Sequence, residues 1–310
     1  MADYNHDPTK QADVLKNLLG FIEEIRYKRY DAWSDRMHPM GYTFTQRELT
    51  QIALPTYGNL LAGRSKRLPA RQQILDVAEY LECTIAETND LLRCAQYLPQ
   101  PGPLTEKQRQ DALQRAELLM NLLPLPAITI DEYGQFPSAN AQITAIQGHR
   151  PFSTWQASQK NIAHWFFDKT LEGCKAFRYS SQGFDINARG ATELIWLVSQ
   201  RVRHEPAFKK RLSEWIQLPD FSTYWHEVNQ SPPDLFGEYG INQTQTPYLD
   251  VNIPERNVLI PMTSNSEIAL GIGIPLNEAA IHVYKAVGCS LDTTTRWEEI
   301  LRNYGINLKD

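Results

Sequence analysis

The segment YLPQPGPL, residues 97–104, constrains the fold of this chain most, because it carries three prolines and a glycine within eight residues. Proline lacks the backbone N–H that helices and sheets require, and it restricts the preceding residue to extended conformations. Neither a helix nor a strand is therefore expected to continue through this segment. We predict a domain boundary here, with one domain at residues 1–98 and a second at residues 105–310.

The residues before this boundary carry a helical hydrophobic pattern in five short stretches. We predict helices at 11–30, at 45–53, at 57–62, from Pro69 and from Thr84. Thr45 and Thr84 are each followed three residues later by a glutamate, which is the capping-box spacing of a helix N-terminus. Gly63 suits the left-handed position that follows a helix. These signals predict a compact all-α domain, with Ala12 and Ile52 among its core residues.

The residues after the boundary show a mixed pattern. Helices are predicted at 105–123, over much of 150–240, from Asn277 and near Trp297, and strands at 125–131, 246–254, 256–264 and 266–275. The last two strands flank Ser264-Asn265-Ser266, which predicts a hairpin. The fold class expected for the whole chain is therefore α+β, with an all-α domain followed by a mixed domain that contains an antiparallel sheet.

Charge argues against a protein that coats nucleic acid without selectivity, since such proteins are usually basic. The net charge is −5, and residues 1–97 carry 12 lysines and arginines against 13 acidic residues. One local exception stands out. Between Glu48 and Asp76 there is no acidic residue, and the four cations of this stretch are Arg64, Lys66, Arg67 and Arg71.

Helix 45–53, the short connection LPT and helix 57–62 form a helix-turn-helix pattern, in which the second helix enters the DNA major groove. Base-reading residues are then expected at its start, and the four cations are expected on phosphates. The predicted DNA-binding residues are Gln46, Thr56, Tyr57, Asn59, Arg64, Lys66, Arg67 and Arg71. The alternative is a solvated basic loop without a DNA-binding role.

These same residues resemble a known family. TQRELTQIA, then Tyr57-x-x-Leu60-x-x-Gly63, the basic stretch to Pro69 and ILDVAEYL are similar to the lambda-repressor-like, XRE-type DNA-binding domain over residues 12–97. The connection LPT replaces a turn that is about three residues longer in the family. The resemblance implies a sequence-specific transcription regulator that acts on double-stranded DNA.

Residues 105–288 resemble the C-terminal domain of MmyB-like regulators. The resemblance is carried by LPAITIDEYGQFPSANAQITAIQG, by Pro206-Ala207-Phe208, by Trp225-His226 and by the strands that follow. At the position of the family's Trp-Asn pair, this chain has Ser138-Ala139-Asn140. The resemblance implies a PAS-like domain that binds a fatty acid or another small apolar ligand.

The residues themselves also favour an apolar pocket. Along strand 266–275, Ala269, Gly271 and Gly273 share one face and leave room above it, whereas the isoleucines and Leu270 share the other. Residues 150–240 contain 16 of the 32 aromatic residues, which would cover that room. The predicted ligand-binding residues are Trp165, Phe166, Trp196, Phe208, Tyr224, Trp225, Ile260, Met262, Ala269, Gly271 and Gly273. The polar head of a ligand would need a donor, for which Arg178, Arg201, Arg203 and His226 are candidates, and the alternative is that the aromatics only fill a core.

An enzyme is not expected, because metal-binding histidine motifs, nucleophile elbows and phosphate-binding loops are absent from the sequence. The four cysteines are far apart, so neither a metal site nor a cofactor is expected. A lipid-modifying enzyme or hydrolase with a helical protein-interaction domain remains the alternative function. Short apolar runs predict a cytoplasmic protein without membrane attachment, and helix 105–123 is expected either to join two copies in a homodimer or to pack on its own domain.

Overall fold

The structure is a computed structural model in which the chain divides into two compact units, residues 1–102 and 103–310. It describes residues 8–146, 151–171, 174, 178, 181–233, 241–245, 252–263, 267–276, 278 and 280–285. The division between the units falls within the proline-rich segment. The helix predicted near Trp297 and the three residues of the predicted hairpin turn lie outside the described residues.

The first unit contains all five predicted helices. They are α1 (Pro8–Trp33), α2 (Gln46–Ile52), α3 (Tyr57–Leu61), α4 (Arg71–Tyr80) and α5 (Ile85–Cys94). Their core includes Leu18, Ile22, Leu49, Leu54 and Leu92, each fully buried. Ala12 and Ile52, two predicted core residues, are exposed. Because α2 has only two turns, its buried face extends from Leu49 to Ala53 and leaves Ile52 on the outside.

The helix ends follow the capping signals of the sequence with one difference. At α5, Thr84 Oγ1 accepts from the Glu87 N–H and the Glu87 carboxylate accepts from the Thr84 N–H, so the predicted capping box is complete. At α2, Thr45 Oγ1 accepts from the Glu48 N–H at 3.2 Å. The Glu48 carboxylate accepts instead from the Thr43 N–H and the Tyr80 hydroxyl. Tertiary contact with α4 thus replaces the second half of this box.

The second unit combines helices with an antiparallel sheet. Its helices are α6 (Glu106–Leu122), α7 (Ala141–Ile146), α8 (Ile162–Phe167), α9 (Ser181–Val198), α10 (Pro206–Trp215) and α11 (Phe221–Gln230), with further helical residues at 280–285. Its strands are β1 (Ala127–Asp131), β2 (Ile241–Gln245), β3 (Asn252–Pro261) and β4 (Ile268–Pro275). Within the described ranges the strand order is β1-β4-β3-β2, and every pairing is antiparallel.

The hairpin between the last two strands is confirmed by the pairing of β3 with β4, but the strand boundaries differ from the prediction. The sequence pattern placed separate strands at 246–254 and 256–264, whereas β3 is one strand across 252–261. The pattern also missed β2, whose sequence INQTQ has little apolar alternation. Pairing with β3 and packing against α9 specify this edge strand, and neither contact is visible in its own residues.

Helix α6 packs on one face of the sheet through Ala112, Ala116 and Met120, all buried. Met120 belongs to a cluster with Ala127, Leu270 and Ile272. Strand β4 is buried without interruption from Ile268 to Gly273, as expected for a central strand that is covered on both faces. The alternative prediction for α6, packing on its own domain, therefore holds for one face of this helix.

Candidate functional site

The connection between α2 and α3 consists of residues 53–56 and is held by the backbone. The Leu54 N–H donates to the Leu49 carbonyl at 3.0 Å, and the Tyr57 N–H donates to the Leu54 carbonyl at 2.8 Å. Leu54 itself is fully buried. These contacts hold the start of α3 close to the end of α2.

The first turn of α3 presents small and polar residues to solvent. Thr56, Gly58 and Asn59 are exposed. A Cβ atom added at Gly58 would meet no heavy atom within 4 Å. This end of the helix is therefore free for another molecule to approach, and two of its exposed residues are ones that the sequence predicted to read bases.

Tyr57 does not belong to that exposed surface. Its side chain is fully buried, and its hydroxyl donates to Glu23 Oε1 on α1. Burial and this hydrogen bond both favour the neutral phenol and raise the pKa of Tyr57 well above its usual range. The prediction of a base contact by Tyr57 is therefore withdrawn, because its side chain points into the core between α1 and α3.

The cations that follow α3 differ from three arginines elsewhere in this unit. Arg26, Arg29 and Arg93 each pair with a carboxylate at 2.6–2.8 Å. The four cations of the acid-free stretch, Arg64, Lys66, Arg67 and Arg71, are all exposed. Within the described part of the chain, these four form neither an ion pair nor a side-chain hydrogen bond. We call them the basic cluster.

The backbone positions the start of the basic cluster. Gly63 has φ +66°, the left-handed conformation predicted for it. The Gly63 N–H donates to the Leu60 carbonyl at 3.1 Å, and the Arg64 N–H donates to the Asn59 carbonyl at 2.9 Å. The chain therefore reverses directly after α3 and places Arg64 close in sequence and space to the exposed Asn59.

Two further residues lie at the start of α2. Gln46 is exposed, and its amide Nε2 donates to Glu23 Oε2 at 2.8 Å. Arg47 is also exposed, and it forms no ion pair with any residue that the structure describes. Sequence reasoning missed Arg47 because it precedes Glu48, where the acid-free stretch begins. Its exposure at the first turn of a helix is the signal that identifies it.

The predicted ligand-binding residues of the second unit do not form one lining. In an antiparallel pair, residues directly opposite each other share a face. Ile260 lies opposite Leu270, on the face covered by α6, and Met262 packs against the same cluster. Ala269, Gly271 and Gly273 point to the other face. Ile260 and Met262 are therefore withdrawn from the predicted lining, since side chains alternate along a strand.

The other face of β4 is closely bordered by β1. A Cβ atom at Gly271 would lie 3.5 Å from the Ile128 carbonyl oxygen and 3.6 Å from Ile130 Cδ1, both ordinary contacts. Gly271 lies opposite Ile128 in the sheet, and Ala269 lies opposite Ile130. The side chains of β1 thus occupy part of the room that the sequence assigned to a ligand.

The predicted aromatic residues pack mainly on one another. Trp165, Phe166 and Phe208 are buried, whereas Trp196, Tyr224 and Trp225 are half-buried. Trp165 stacks on Trp155 with ring centroids 4.3 Å apart. A second series of ring contacts runs from Phe208 through Trp215 and Phe221 to Trp225, with centroids 5.8–6.1 Å apart. Such contacts are typical of a hydrophobic core, which was the alternative for these residues.

The candidate donors for a ligand head group all have partners within the chain. Arg201 binds Glu267, Arg178 binds Asp220, Arg203 lies over the Trp196 ring and His226 contacts Gln230. A different polar group lacks such a partner. Gln142, on α7, is 9% exposed, and its Oε1 atom accepts no hydrogen bond from the described residues. Buried hydrogen-bond acceptors are rarely left without a donor.

Buried charges gather where β1 ends and β4 begins. The Glu132 N–H donates to the Glu267 carbonyl, and the Glu267 carboxylate accepts from Arg201 Nη1 at 2.5 Å and from the Leu104 N–H. Burial, together with the charge of Glu267, raises the pKa of Glu132 to about 7. Asp131, next to Glu132, pairs with Arg109 at 2.9 Å. The cluster thus connects the start of α6 to the sheet and contains one carboxyl group that titrates near neutral pH.

Comparison of the chain with protein-family models and with curated proteins finds no match. Among the described residues, His, Cys, Asp and Glu form no group of three or more that is suited to hold a metal ion. No helix in these ranges combines the length and apolar composition needed to cross a bilayer. Functional inference therefore rests on the exposed surface of α2, α3 and the basic cluster, and on the interior of the second unit.

Proposed function

We propose that the first unit binds duplex DNA with the start of α3 in the major groove, and that the chain is a sequence-specific transcription regulator. The observation that carries this proposal is the basic cluster, four exposed cations that pair with none of the described residues and follow directly after a short, exposed helix. Leaving four neighbouring cations unpaired costs stability through their mutual repulsion unless an anionic partner compensates for it. DNA phosphates are partners of the required charge.

The exposed residues divide by role. Arg64, Lys66, Arg67 and Arg71 bind phosphates and set register, which supplies affinity for any sequence. Thr56 and Asn59 face the base edges, where an asparagine side chain can pair with adenine through two hydrogen bonds. Gln46 contacts DNA from the start of α2. Gly58 permits close approach of α3 to the groove, since it adds no side chain to the exposed face.

The test combines selection with two matched substitutions. Selection from random duplexes with the full chain is expected to enrich one motif. Arg64→Ala should weaken binding to that motif and to random DNA alike, and should reduce the slope of log K against log salt by about one unit. Lys28→Ala is the control, because Lys28 is also an exposed cation but pairs with Glu24 at 2.7 Å. Absence of an enriched motif, or equal effects of the two substitutions, would contradict the proposal.

For the second unit we propose binding of a small apolar ligand, such as a fatty acid, that regulates the first unit. The observation that favours it is the buried Oε1 of Gln142, which accepts from none of the described residues and which a protonated acid or a hydroxyl group would satisfy. Helix α7 packs on β1, the strand beside Gly271. The revised lining contains Ala269, Gly271 and Gly273 and excludes the α6 face of the sheet.

The ligand proposal is tested on purified full-length chain by native mass spectrometry and by added fatty acids. A long acyl chain gains about 0.8 kcal/mol for each buried methylene, so it should raise the melting temperature of the wild type. Gly271→Val adds bulk beside Ile128 and Ile130 and should abolish that increase. Gly20→Val, at an exposed glycine of α1 in the other unit, is the control for a valine substitution. No co-purified ligand and no thermal shift would refute ligand binding.

A regulator of this kind reads two half-sites as a dimer, and we propose that α6 forms the contact. Outside its buried face, Leu118, Leu119 and Leu122 are 61%, 41% and 78% exposed. Three exposed leucines within two turns of one helix are an apolar surface that a second copy would cover.

A further inference from the structure

One carboxylate joins the three helices at the proposed DNA surface. Glu23, on α1, accepts from Arg26 Nε at 2.9 Å and from the Tyr57 hydroxyl at its Oε1 atom. Its Oε2 atom accepts from Arg26 Nη2 and from Gln46 Nε2, both at 2.8 Å. Each oxygen thus receives two donors, which uses the full accepting capacity of a carboxylate.

Two of these donors are the first residues of their helices. Gln46 begins α2 and Tyr57 begins α3, so Glu23 holds the N-termini of both helices against α1. Arg26 extends the network by donating from Nη1 to the Phe44 carbonyl at 2.8 Å. Phe44 has φ 51°, a left-handed conformation that is unfavourable for a residue with a side chain. The network therefore also holds the chain as it enters α2.

The environment strengthens these contacts. Tyr57 is fully buried, and the side chains of Glu23 and Arg26 are 28% and 12% exposed. Hydrogen bonds from Arg26, Tyr57 and Gln46 outweigh burial and lower the pKa of Glu23 to about 2. Glu23 is thus fully ionised at any pH at which the protein would meet DNA, and its contacts do not change over that range.

The connection of residues 53–56 makes such an anchor necessary. The connection has only four residues, and α3 is a helix of only five residues. A short helix has little intrinsic stability and depends on tertiary contacts for its orientation. Through the hydrogen bond from the Tyr57 hydroxyl, Glu23 on α1 orients α3. Through the hydrogen bond from Gln46 Nε2, it orients the exposed side-chain amide at the start of α2.

We infer that Glu23 is a positioning residue for DNA reading, which acts through Tyr57 and Gln46 to set how α3 and the Gln46 amide meet the groove. This inference rests on the proposed function. Glu23 itself need not touch DNA. Its substitution should therefore reduce discrimination between sequences more than it reduces affinity for phosphates, since the exposed side chains of the basic cluster form no hydrogen bond or ion pair with this network.

The experiment compares three variants of the full chain at a temperature at which all are folded. Tyr57→Phe removes one hydroxyl and keeps the buried ring, and Glu23→Gln replaces a carboxylate by an amide of the same shape. Glu24→Gln is the control, since Glu24 is exposed and contacts only Lys28 among the described residues. In the first two variants, the ratio of affinities for the selected duplex and for random duplex should fall about tenfold, with random-duplex affinity kept within about twofold.

A second readout does not involve DNA. Amide hydrogen exchange of residues 59–62 should accelerate about tenfold in Tyr57→Phe and Glu23→Gln relative to the amides of α5, and remain unchanged in Glu24→Gln. Faster exchange without a fall in the affinity ratio would overturn the inference and leave Glu23 a purely structural residue. A wild type that does not discriminate between duplexes would refute the proposed function instead. In that case the hydrogen-exchange rates would still test whether Glu23 holds α3 in place. Rates equal to those of the wild type would refute this structural role too.

Discussion

At the scale of single residues, Glu132 makes the second unit sensitive to pH. Some carboxyl groups have a higher pKa in the folded protein than in the unfolded chain. Such a group makes its full contribution to the free energy of unfolding below the pKa of the unfolded chain, and this contribution is lost as the pH rises through the pKa of the folded protein. For Glu132 these values are 4.5 and about 7. A shift of this size contributes on the order of 3 kcal/mol to the free energy of unfolding, and this contribution disappears between about pH 4.5 and 7.

We therefore expect Glu132→Gln to stabilise the second unit at pH 8 and to have little effect at pH 4.5. Urea unfolding followed by tryptophan fluorescence measures this, because six of the seven tryptophans lie in residues 103–310. Carboxylates with lowered pKa, such as Glu23, are already ionised above pH 5 and do not contribute to the difference. Glu117→Gln, at an exposed position on α6, is the control. Equal effects of Glu132→Gln at both pH values would contradict the prediction.

At the scale of elements, the end of α3 depends on one left-handed glycine. Gly63 has φ +66°, and a Cβ atom added there would meet nothing within 4 Å, so any cost of substitution comes from the backbone alone. Gly63→Ala should destabilise the first unit by about 1 kcal/mol. Gly58→Ala is the matched control. Gly58 lies in α3 with the same open surroundings but without a positive φ, and alanine there should stabilise the helix by up to about 1 kcal/mol.

Urea unfolding followed by circular dichroism distinguishes the two substitutions. If both raise the midpoint, Gly63 does not keep its left-handed conformation. The same pair also tests the proposed DNA contact, because Gly58→Ala places a methyl group on the exposed face of α3. If α3 approaches the groove closely, the Gly58→Ala protein should be more stable than the wild type but bind its selected duplex more weakly.

At the scale of the whole molecule, we predict a dimer with a mass twice the 35.6 kDa of the chain. Leu122→Asp, together with Leu118→Asp, should yield monomers in sedimentation at about 10 µM, because charges would be buried in an apolar contact. Leu98→Asp changes a leucine that is 83% exposed but lies outside α6, and it should leave the dimer intact. A wild-type monomer, or dimers in all variants, would exclude α6 as the contact.

The candidate site illustrates how far local signals reach. Exposure of the basic cluster and of Asn59 follows from an acid-free stretch after a short helix, and these signals are contained within a few residues of sequence. The role of Tyr57 is different. Its spacing is compatible both with the outer face of α3 and with the core. Packing in the core and the hydrogen bond to Glu23, 34 residues earlier in the chain, decide between them, and no periodicity reveals such partners.

The two faces of the sheet also show which features follow from local sequence and which depend on tertiary contacts. Alternation along β4 predicts that Gly271 and Leu270 point in opposite directions, and this is local geometry. Which of these faces Ile260 shares depends on the register of β3 against β4. A shift of register by one residue would have exchanged the faces, so the residues of β3 alone could not determine the lining of a pocket.

The sequence by itself determined the features that depend on neighbouring residues: the break at residues 97–104, the five helices of the first unit, the capping of α5 and the left-handed Gly63. Steric and hydrogen-bonding preferences within a few residues are sufficient for each of them. Only the tertiary structure decided the burial of Tyr57, the pairing of β2, the face occupied by Ile260 and the meeting of Glu132 with Glu267. Each of these depends on which distant segments pack together, and that choice is made by the free energy of the whole fold.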